Sequence, residues 1–190
     1  MKFIRTEIPE VVICEPKVFE DHRGYFFESF SKKLLEEFVG HKLHFCQDNE
    51  SKSSYGVLRG LHFQKPPFTQ AKLVRVIEGK ILDVAVDVRQ GSPTFGNYFS
   101  IELSSENKKQ LFVPRGFAHG FVVLSSTAVF SYKCDNYYSP EHDSGVLYND
   151  QELTIDWKIP EQDLILSEKD LKQPSFKYMK NFDFQNNLYA

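Results

Sequence analysis

A chain of 190 residues with 41% hydrophobic and 15% aromatic residues is long enough to bury a core without disulfides, and its composition excludes an intrinsically disordered protein. The formal net charge of -3 excludes a general affinity for nucleic acid or for an anionic membrane surface. No apolar run approaches the roughly 18 residues of a membrane span, and the three cysteines form no CxxC pair, so we expect a cytoplasmic protein with reduced thiols. We expect one domain over residues 1–190.

The N-terminal part is predicted to form short extended pieces followed by one helix. Prolines and a turn at residues 21–24 interrupt the first 30 residues. Ser31 is a suitable N-cap, and Gly40 stands where a left-handed residue would end the helix. A second, short helix is predicted after Ser167.

Short strands dominate the middle of the chain, where the hydrophobic pattern has no helical period. Eight are predicted, at residues 43–47, 56–64, 71–78, 80–88, 98–103, 110–114, 120–124 and 128–133. Strands of this number and length, separated by turn residues, are typical of a sandwich or a barrel.

The strand at residues 56–64 carries an arginine, a histidine and an amide among apolar residues. A lone histidine in such a strand, here His62, is either a hydrogen-bonded core residue or a catalytic group. Strict alternation puts Leu58, His62 and Gln64 on one face and Arg59 on the other, unless Gly60 forms a bulge. This stretch is therefore the candidate centre of the site.

Two further polar residues share a strand face with apolar neighbours. Lys72 lies on the side of Val74, so its ammonium group either faces the interior, where a lysine needs a partner or a task, or extends outward from an edge strand. Tyr132 lies on the side of Phe130 and is either a packing residue or a chemically active phenol.

The segment from Pro114 to His119 has a P-x-G-x-x-H pattern found in many small jelly-roll barrels. In metal-binding cupins this histidine joins two more from an H-x-H strand, but the corresponding strand here has Gln64 in place of the second histidine. Lys72 in the next strand would repel a divalent cation. The sequence therefore predicts no metal and no other cofactor.

Several uncommon blocks in the same order resemble dTDP-4-dehydrorhamnose 3,5-epimerases from about residue 3 to about residue 172. They are Asp21-x-Arg23-Gly24 with Glu28, Gln47-Asp48-Asn49, residues 56–64, Gln70-x-Lys72, residues 92–96, residues 114–121, and Tyr132-Lys133 with residues 137–140. The resemblance implies a mainly β, cupin-type double-stranded β-helix (jelly roll) with a few short helices. It also implies a dTDP-sugar substrate and a homodimer with exchanged N-terminal strands.

The resemblance also implies roles for individual residues. His62 corresponds to the general base, Asp170 to the carboxylate that orients it, Lys72 to the group that holds the enolate oxygen, and Tyr132 to the acid. The implied substrate-binding residues are Arg23, Phe26, Glu28, Gln47, Asn49, Arg59, His119, Tyr138, Asp143 and Lys169.

Some assignments stay open at this point. Either Glu141 or Asp143 supplies the loop ligand, and Asp170 is also suited to cap a helix together with Ser167. The implied reaction converts dTDP-4-keto-6-deoxy-D-glucose to dTDP-4-keto-L-rhamnose in dTDP-L-rhamnose biosynthesis. The alternatives are a dTDP-sugar epimerase acting at C3 or C5 alone, a metal-dependent cupin enzyme that uses His62, Gln64 and His119, and a non-catalytic sugar-nucleotide-binding protein.

Overall fold

Antiparallel strands make up most of the fold in the computed structural model, which describes residues 1–179 and 182–189. The strands are β1 (Lys2–Arg5), β2 (Val12–Glu15), β3 (Phe19–Asp21), β4 (Gly24–Phe26), β5 (Gln47–Ser54), β6 (Leu58–Gln64), β7 (Lys72–Glu78), β8 (Lys80–Asp87), β9 (Arg89–Gln90), β10 (Tyr98–Ser104), β11 (Gln110–Val113), β12 (Phe117–Val123), β13 (Thr127–Cys134), β14 (Asp143–Gly145) and β15 (Phe182–Asp183). The α-helices are α1 (Lys32–Val39) and α2 (Glu168–Leu171), and three 3-10 turns lie at Pro140–His142, Glu161–Asp163 and Phe176–Tyr178. Among the described residues, no helix is long and apolar enough to cross a membrane.

Two antiparallel sheets form the jelly roll. One sheet has six strands in the order β1-β2-β11-β7-β13-β5, and the other has five in the order β10-β8-β12-β6-β14. The hairpin of β3 and β4 forms a separate two-stranded sheet. The sequence prediction of a mainly β jelly roll with a few short helices is confirmed.

The core has three parts because each sheet is covered on its outer side as well. Apolar side chains of both sheets, such as Val74 and Phe121, pack together between them. Residues from the C-terminal third, including Trp157, cover the outer face of the five-stranded sheet. Helix α1 places Leu35 on the outer side of the six-stranded sheet, next to Leu73. The polar groups between the sheets therefore lie in largely apolar surroundings.

Most predicted elements agree with the structure to within a few residues, but the strand predicted at residues 43–47 is wrong. Leu43 packs in the cluster under α1, and the strand begins only at Gln47 and continues to Ser54. Among the described strands, it is at the edge of its sheet and pairs with β13. All eight residues of this strand are polar. A search for hydrophobic periodicity therefore does not detect it.

A bulge in β6 determines which side chains share the inner face. His119 of β12 is opposite His62, and Phe121 is opposite Arg59. One residue of β12, Gly120, therefore faces two residues of β6, which reverses the alternation at this point. Arg59 and His62 consequently point to the same side of the sheet, and the bulge at Gly60 is the alternative that the structure adopts.

We expect Gly60→Ala to destabilise the protein by about 3 kcal/mol. Gly60 has φ +138°, and an added Cβ would lie 2.5 Å from the Cα atom of Gly120. Urea unfolding followed by the fluorescence of Trp157, the single tryptophan, measures the change.

Gly91→Ala is the matched control for this substitution. Gly91 also has a positive φ, of +81°, but no atom lies within 4 Å of an added Cβ. The control should lose only about 1 kcal/mol, the cost of the left-handed backbone alone. Equal losses of stability in the two variants would show that the close approach of β6 and β12 adds nothing to the cost of the Gly60→Ala substitution.

Candidate active site

A cavity of about 260 Å³ between the two sheets collects most of the predicted site residues. The lining residues are Gln47, Asn49, His62, Phe63, Gln64, Gln70, Lys72, Tyr132, Tyr138, Asp143 and Lys169. His62 comes from the five-stranded sheet, whereas Lys72 and Tyr132 come from the six-stranded sheet that faces it. Groups from opposite walls can therefore reach the two faces of one ligand.

His62 lies against a buried carboxylate. Its Nε2 atom is 2.7 Å from Oδ1 of Asp170, which is 3% exposed. The angles of this contact are not those of a hydrogen bond, and Nε2 has no other hydrogen-bond partner among the described residues. When the imidazole is protonated, the contact is an ion pair. The position of Asp170 is thus suited to stabilise a protonated imidazole.

Asp170 caps a helix and also contacts His62. It caps α2, since its backbone N–H donates to Oγ of Ser167 at 3.2 Å, and the Ser167 hydroxyl donates to Oδ2 at 2.5 Å. Burial raises the pKa of Asp170, but the interactions with His62, Ser167 and the backbone N–H of Gly60 outweigh it and leave the pKa below its usual value. The carboxylate is thus ionised at neutral pH.

Lys72 is the first residue of β7, and β7 lies between β11 and β13. The edge-strand alternative for this lysine is therefore wrong. Burial lowers the pKa of Lys72, although the negative charges of Asp143 and Asp83 oppose this effect. No described carboxylate lies within ion-pair distance of its Nζ, so the ammonium group is available to a ligand.

Tyr132 presents its phenol to the same cavity. The Lys72 ammonium lies 6.0 Å from the centre of its ring, and Phe130 packs against it at 5.6 Å between ring centres. Burial raises the pKa of Tyr132. The hydroxyl therefore keeps its proton at neutral pH and can donate it.

Gln64, where a metal-binding cupin has a histidine, holds the loop at the mouth of the cavity. Its Oε1 accepts from the backbone N–H of Ser139 at 2.9 Å, and its Nε2 donates to Asp143 at 3.4 Å. Asp143 also accepts from the Tyr138 hydroxyl at 3.1 Å and from the Lys169 ammonium. This role of Gln64 in holding the loop is not apparent from the sequence, because Ser139 and Asp143 lie far from it along the chain.

The two candidate carboxylates of the loop, Glu141 and Asp143, differ in their position relative to the cavity. Asp143 lines the cavity, whereas Glu141 is exposed outside it. On the neighbouring edge strand, Gln47 donates to Asn49 at 3.0 Å and accepts from the backbone N–H of Tyr138 at 3.2 Å. The amides and the loop form one hydrogen-bonded wall.

Three predicted substrate-binding residues lie away from this cavity in the same chain. Arg23 and Phe26 belong to the exposed β3–β4 hairpin, and Glu28 follows it at the surface. Arg23 forms an ion pair with Asp21 of its own turn, at 2.6 Å. The structure does not bring these residues to His62 within one chain.

Arg59 and His119 also lie outside the cavity lining. The bulge places Arg59 on the side of His62, where its Nε donates to Ser53 at 3.2 Å. His119 is 6% exposed and its Nε2 lies 3.0 Å from both oxygens of the fully buried Asp83. The predicted contact of His119 with the substrate stays a prediction, and its ring is engaged by Asp83, a carboxylate that no sequence pattern indicated.

The donor set does not resemble a metal site. Across residues 1–179 and 182–189, no three His, Cys, Asp or Glu side chains are grouped so that they could bind a metal ion. The amide of Gln64 is already engaged by the loop, and Lys72 adds a positive charge to the same cavity.

We expect the stabilising effect of Asp170 to depend on pH. Because the folded-state pKa is below the unfolded value of about 3.9, its contribution is present above that pH and is lost as the pH falls through the folded pKa. Asp170→Asn should be less stable than the wild type by about 2 kcal/mol at pH 7, and the difference should shrink in acid. Thermal melting at a series of pH values measures both.

Asp156→Asn is the control for this pH series. Asp156 also has a lowered pKa, from its hydrogen bonds with Lys158, but that pair is exposed. Its replacement should hardly change the melting temperature at any pH. A difference between wild type and Asp170→Asn that stays constant on acidification would contradict the assignment.

Comparison with known proteins gives consistent matches over nearly the whole chain. Residues 5–178 match the family model described as dTDP-4-dehydrorhamnose 3,5-epimerase. The chain is 54% identical over 176 residues to dTDP-4-dehydrorhamnose 3,5-epimerase of Shigella flexneri, a match that covers 93% of this chain and 96% of that relative.

Solved structures agree with this result. The crystal structure of dTDP-4-dehydrorhamnose 3,5-epimerase from Elizabethkingia anophelis superposes with a TM-score of 0.91 at 60% identity, covering 96% of this chain and 99% of that one. A dTDP-6-deoxy-D-glucose-3,5-epimerase from Legionella pneumophila in complex with dTDP-4-keto-L-rhamnose gives 0.93 at 48% identity, with coverage of 97% and 99%. By sequence and by structure, this chain belongs to the dTDP-4-dehydrorhamnose 3,5-epimerase family.

Proposed function

We propose that the chain converts dTDP-4-keto-6-deoxy-D-glucose to dTDP-4-keto-L-rhamnose by epimerisation at C3 and C5, as a step of dTDP-L-rhamnose biosynthesis. One observation carries the proposal, namely that a histidine backed by a carboxylate, a lysine and a tyrosine converge on one cavity from two facing sheets. These four residues supply a base, an oxyanion donor and an acid, which are the groups that the reaction requires.

The first step is removal of a proton from a carbon next to the C4 ketone. His62 is the base, and Asp170 at 2.7 Å stabilises the imidazolium that forms. A positioned general base contributes about 10² to 10⁴-fold in rate. The adjacent carboxylate also fixes the orientation of the ring, which a base on a strand needs for repeated use at two carbons.

The negative charge that develops on the C4 oxygen needs a fixed cation or donor. Lys72 serves this purpose, since its ammonium has no carboxylate partner at ion-pair distance among the described residues. Its lowered pKa makes it a stronger acid and hence a better hydrogen-bond donor toward an enolate. One such donor contributes about 3 to 4 kcal/mol to transition-state stabilisation.

Inversion requires the proton to return on the face opposite the base. Tyr132 comes from the sheet that faces the strand of His62, and its raised pKa keeps the phenol protonated. Both C3 and C5 are adjacent to the same ketone. One base, one oxyanion donor and one acid therefore serve both centres if the sugar is repositioned between the two steps.

The remaining lining residues are suited to the rest of a dTDP-sugar. Lys169 supplies positive charge for the diphosphate, and Tyr138, which is 52% exposed, offers a flat ring to the thymine. Gln47 and Asn49 supply amides to the sugar and the phosphates. Arg59, on the same face as His62, extends the positive charge along the strand.

We expect the purified protein to exchange solvent deuterium into C3 and C5 of dTDP-4-keto-6-deoxy-D-glucose, as followed by NMR. His62→Ala should reduce the exchange by about 10² to 10⁴-fold without lowering the melting temperature substantially. Tyr132→Phe should reduce product formation more than exchange, because it leaves the base in place.

Three results would contradict parts of this proposal. Normal exchange in His62→Ala would exclude His62 as the base, and equal losses of exchange and product in Tyr132→Phe would exclude its role as the acid. Exchange at one carbon alone would identify a single-centre epimerase, the activity named for a 3'-monoepimerase of Streptomyces bikiniensis that is 32% identical to this chain and superposes with a TM-score of 0.85.

We also propose a homodimer in which each chain lends its N-terminal hairpin to the partner. The β3–β4 hairpin is exposed throughout, and Phe19, Tyr25 and Phe26 are 54%, 59% and 71% exposed. An apolar surface of this kind is typical of a contact with another molecule. The arrangement explains why Arg23, Phe26 and Glu28 lie away from the cavity of their own chain.

Mixing two inactive variants tests the exchanged hairpin. His62→Ala lacks the base, and Arg23→Ala with Phe26→Ala lacks the hairpin ligands, so each homodimer should be inactive. After denaturation together and refolding, mixed dimers contain one complete site, and random pairing should restore about a quarter of the wild-type activity. Failure to restore activity, with both variants dimeric, would contradict the exchange.

The same proposal extends to domain organisation and location. We propose that residues 1–190 work as one jelly-roll epimerase domain, which is supported by the family match over residues 5–178. A cytoplasmic location is supported by the three cysteines, which are free thiols. No cofactor is invoked at any step.

A further inference from the structure

A largely buried ion pair, Arg115–Asp135, lies where three neighbouring strands of the six-stranded sheet begin or end. The order of these strands is β11-β7-β13, so β7 lies in the middle. Arg115 follows the end of β11, Asp135 follows the end of β13, and Ala71 precedes the first residue of β7. Nε of Arg115 donates to Oδ2 of Asp135 at 2.9 Å.

Asp135 is attached to the middle strand as well. Its Oδ1 accepts from the backbone N–H of Ala71 at 2.6 Å, and its own N–H donates to the carbonyl of Ala71 at 3.1 Å. The side chain of Asp135 is 2% exposed, and that of Arg115 is 15% exposed. The Arg115–Asp135 pair thus spans the start of β7 and joins both of its neighbours.

The residue next to this pair is Lys72. It is the first residue of β7 and lies directly opposite Cys134, the last residue of β13. Strand ends are the parts of a sheet that open most readily, so a catalytic lysine at such a position needs a separate restraint. Tyr132 lies on the same strand as Cys134, opposite Val74.

We propose that Asp135 is a positioning residue for Lys72, acting through its two hydrogen bonds to Ala71 while Arg115 holds its carboxylate. The inference rests on the proposed function, in which Lys72 holds the enolate oxygen. Asp135 itself lies outside the lining of the cavity, so the proposal assigns it no contact with the substrate. A displacement of about 1 Å at a positioned group can cost as much as 10²-fold in rate.

The C-terminal segment completes the restraint on Arg115. The carbonyl of Leu188 accepts from Nη1 of Arg115 at 2.8 Å, and the hydroxyl of Tyr189 accepts from its backbone N–H at 3.1 Å. Both residues lie beyond residue 178, where the match to the family model ends. In this chain the guanidinium is therefore fixed from two sides.

The test compares three variants of the full-length protein by steady-state kinetics with dTDP-4-keto-6-deoxy-D-glucose. Asp135→Ala removes both acceptors of the side chain, and kcat should fall about 10-fold or more with KM within about 2-fold of the wild type. Asp135→Asn keeps an oxygen for the Ala71 N–H and should retain kcat within about 3-fold of the wild type.

Asp87→Ala is the matched structural control. Asp87 is fully buried and forms the other Arg–Asp pair of this kind, accepting from Arg89 at 2.9 and 2.7 Å, but it lies at the end of β8, away from Lys72. We expect a loss of melting temperature at least as large as that of Asp135→Ala, with an unchanged kcat of the folded protein.

The outcomes separate the positioning role from the proposed function. A wild-type protein without turnover would overturn the function itself. With an active wild type, an unchanged kcat in Asp135→Ala, or an equal fall in Asp135→Asn, would overturn the positioning role. If Asp135→Ala does not fold, Arg115→Gln replaces it; a fall in kcat of about 5-fold is then expected, and no fall overturns the proposal.

Discussion

Ionisable groups held between two apolar sheets are the physical constraint on which this site depends. Burial opposes the charged form of an acid or a base, so each of these groups needs a partner or has its pKa displaced. Asp170 is balanced by His62 and Ser167, and Asp83 by His119. Lys72 has no such partner at ion-pair distance among the described residues, and burial lowers its pKa. Under the proposed function, Lys72 is the group that holds the enolate oxygen.

The cavity of this cupin-type jelly roll is lined by groups that are suited to proton transfer. Gln64 occupies the position of a metal-binding histidine and instead fixes the loop that carries Tyr138 and Asp143. The Nε2 atom of His119 lies 3.0 Å from both oxygens of Asp83. Because these amides and carboxylates bind one another, the walls of the cavity are arranged before any ligand arrives.

The sequence predicts those parts of the fold and of the site that depend on residues close together in the chain. The jelly roll, the helix from Lys32 to Val39, most strands and the residues around the cavity followed from apolar runs, turn residues and a family resemblance. Edge strand β5 was misplaced because its residues are polar and its stability comes from backbone pairing with β13. The bulge at Gly60 was one of two alternatives, since strand register is set by the neighbouring chain segment and not by β6 alone. The contacts of Asp135 with Ala71 and Arg115 join residues far apart in sequence, which no spacing pattern reveals.

Edge strand β5 also has a consequence for the behaviour of the protein at high concentration. In the described chain it pairs on one side only, so its other side has free N–H and C=O groups, the usual starting point for unspecific strand addition. Its outward-facing residues Asp48, Glu50 and Lys52 are exposed and charged, and such residues disfavour addition of a foreign strand. The inward-facing Gln47 and Asn49 line the cavity. One polar strand therefore lines the cavity with one face and disfavours aggregation with the other.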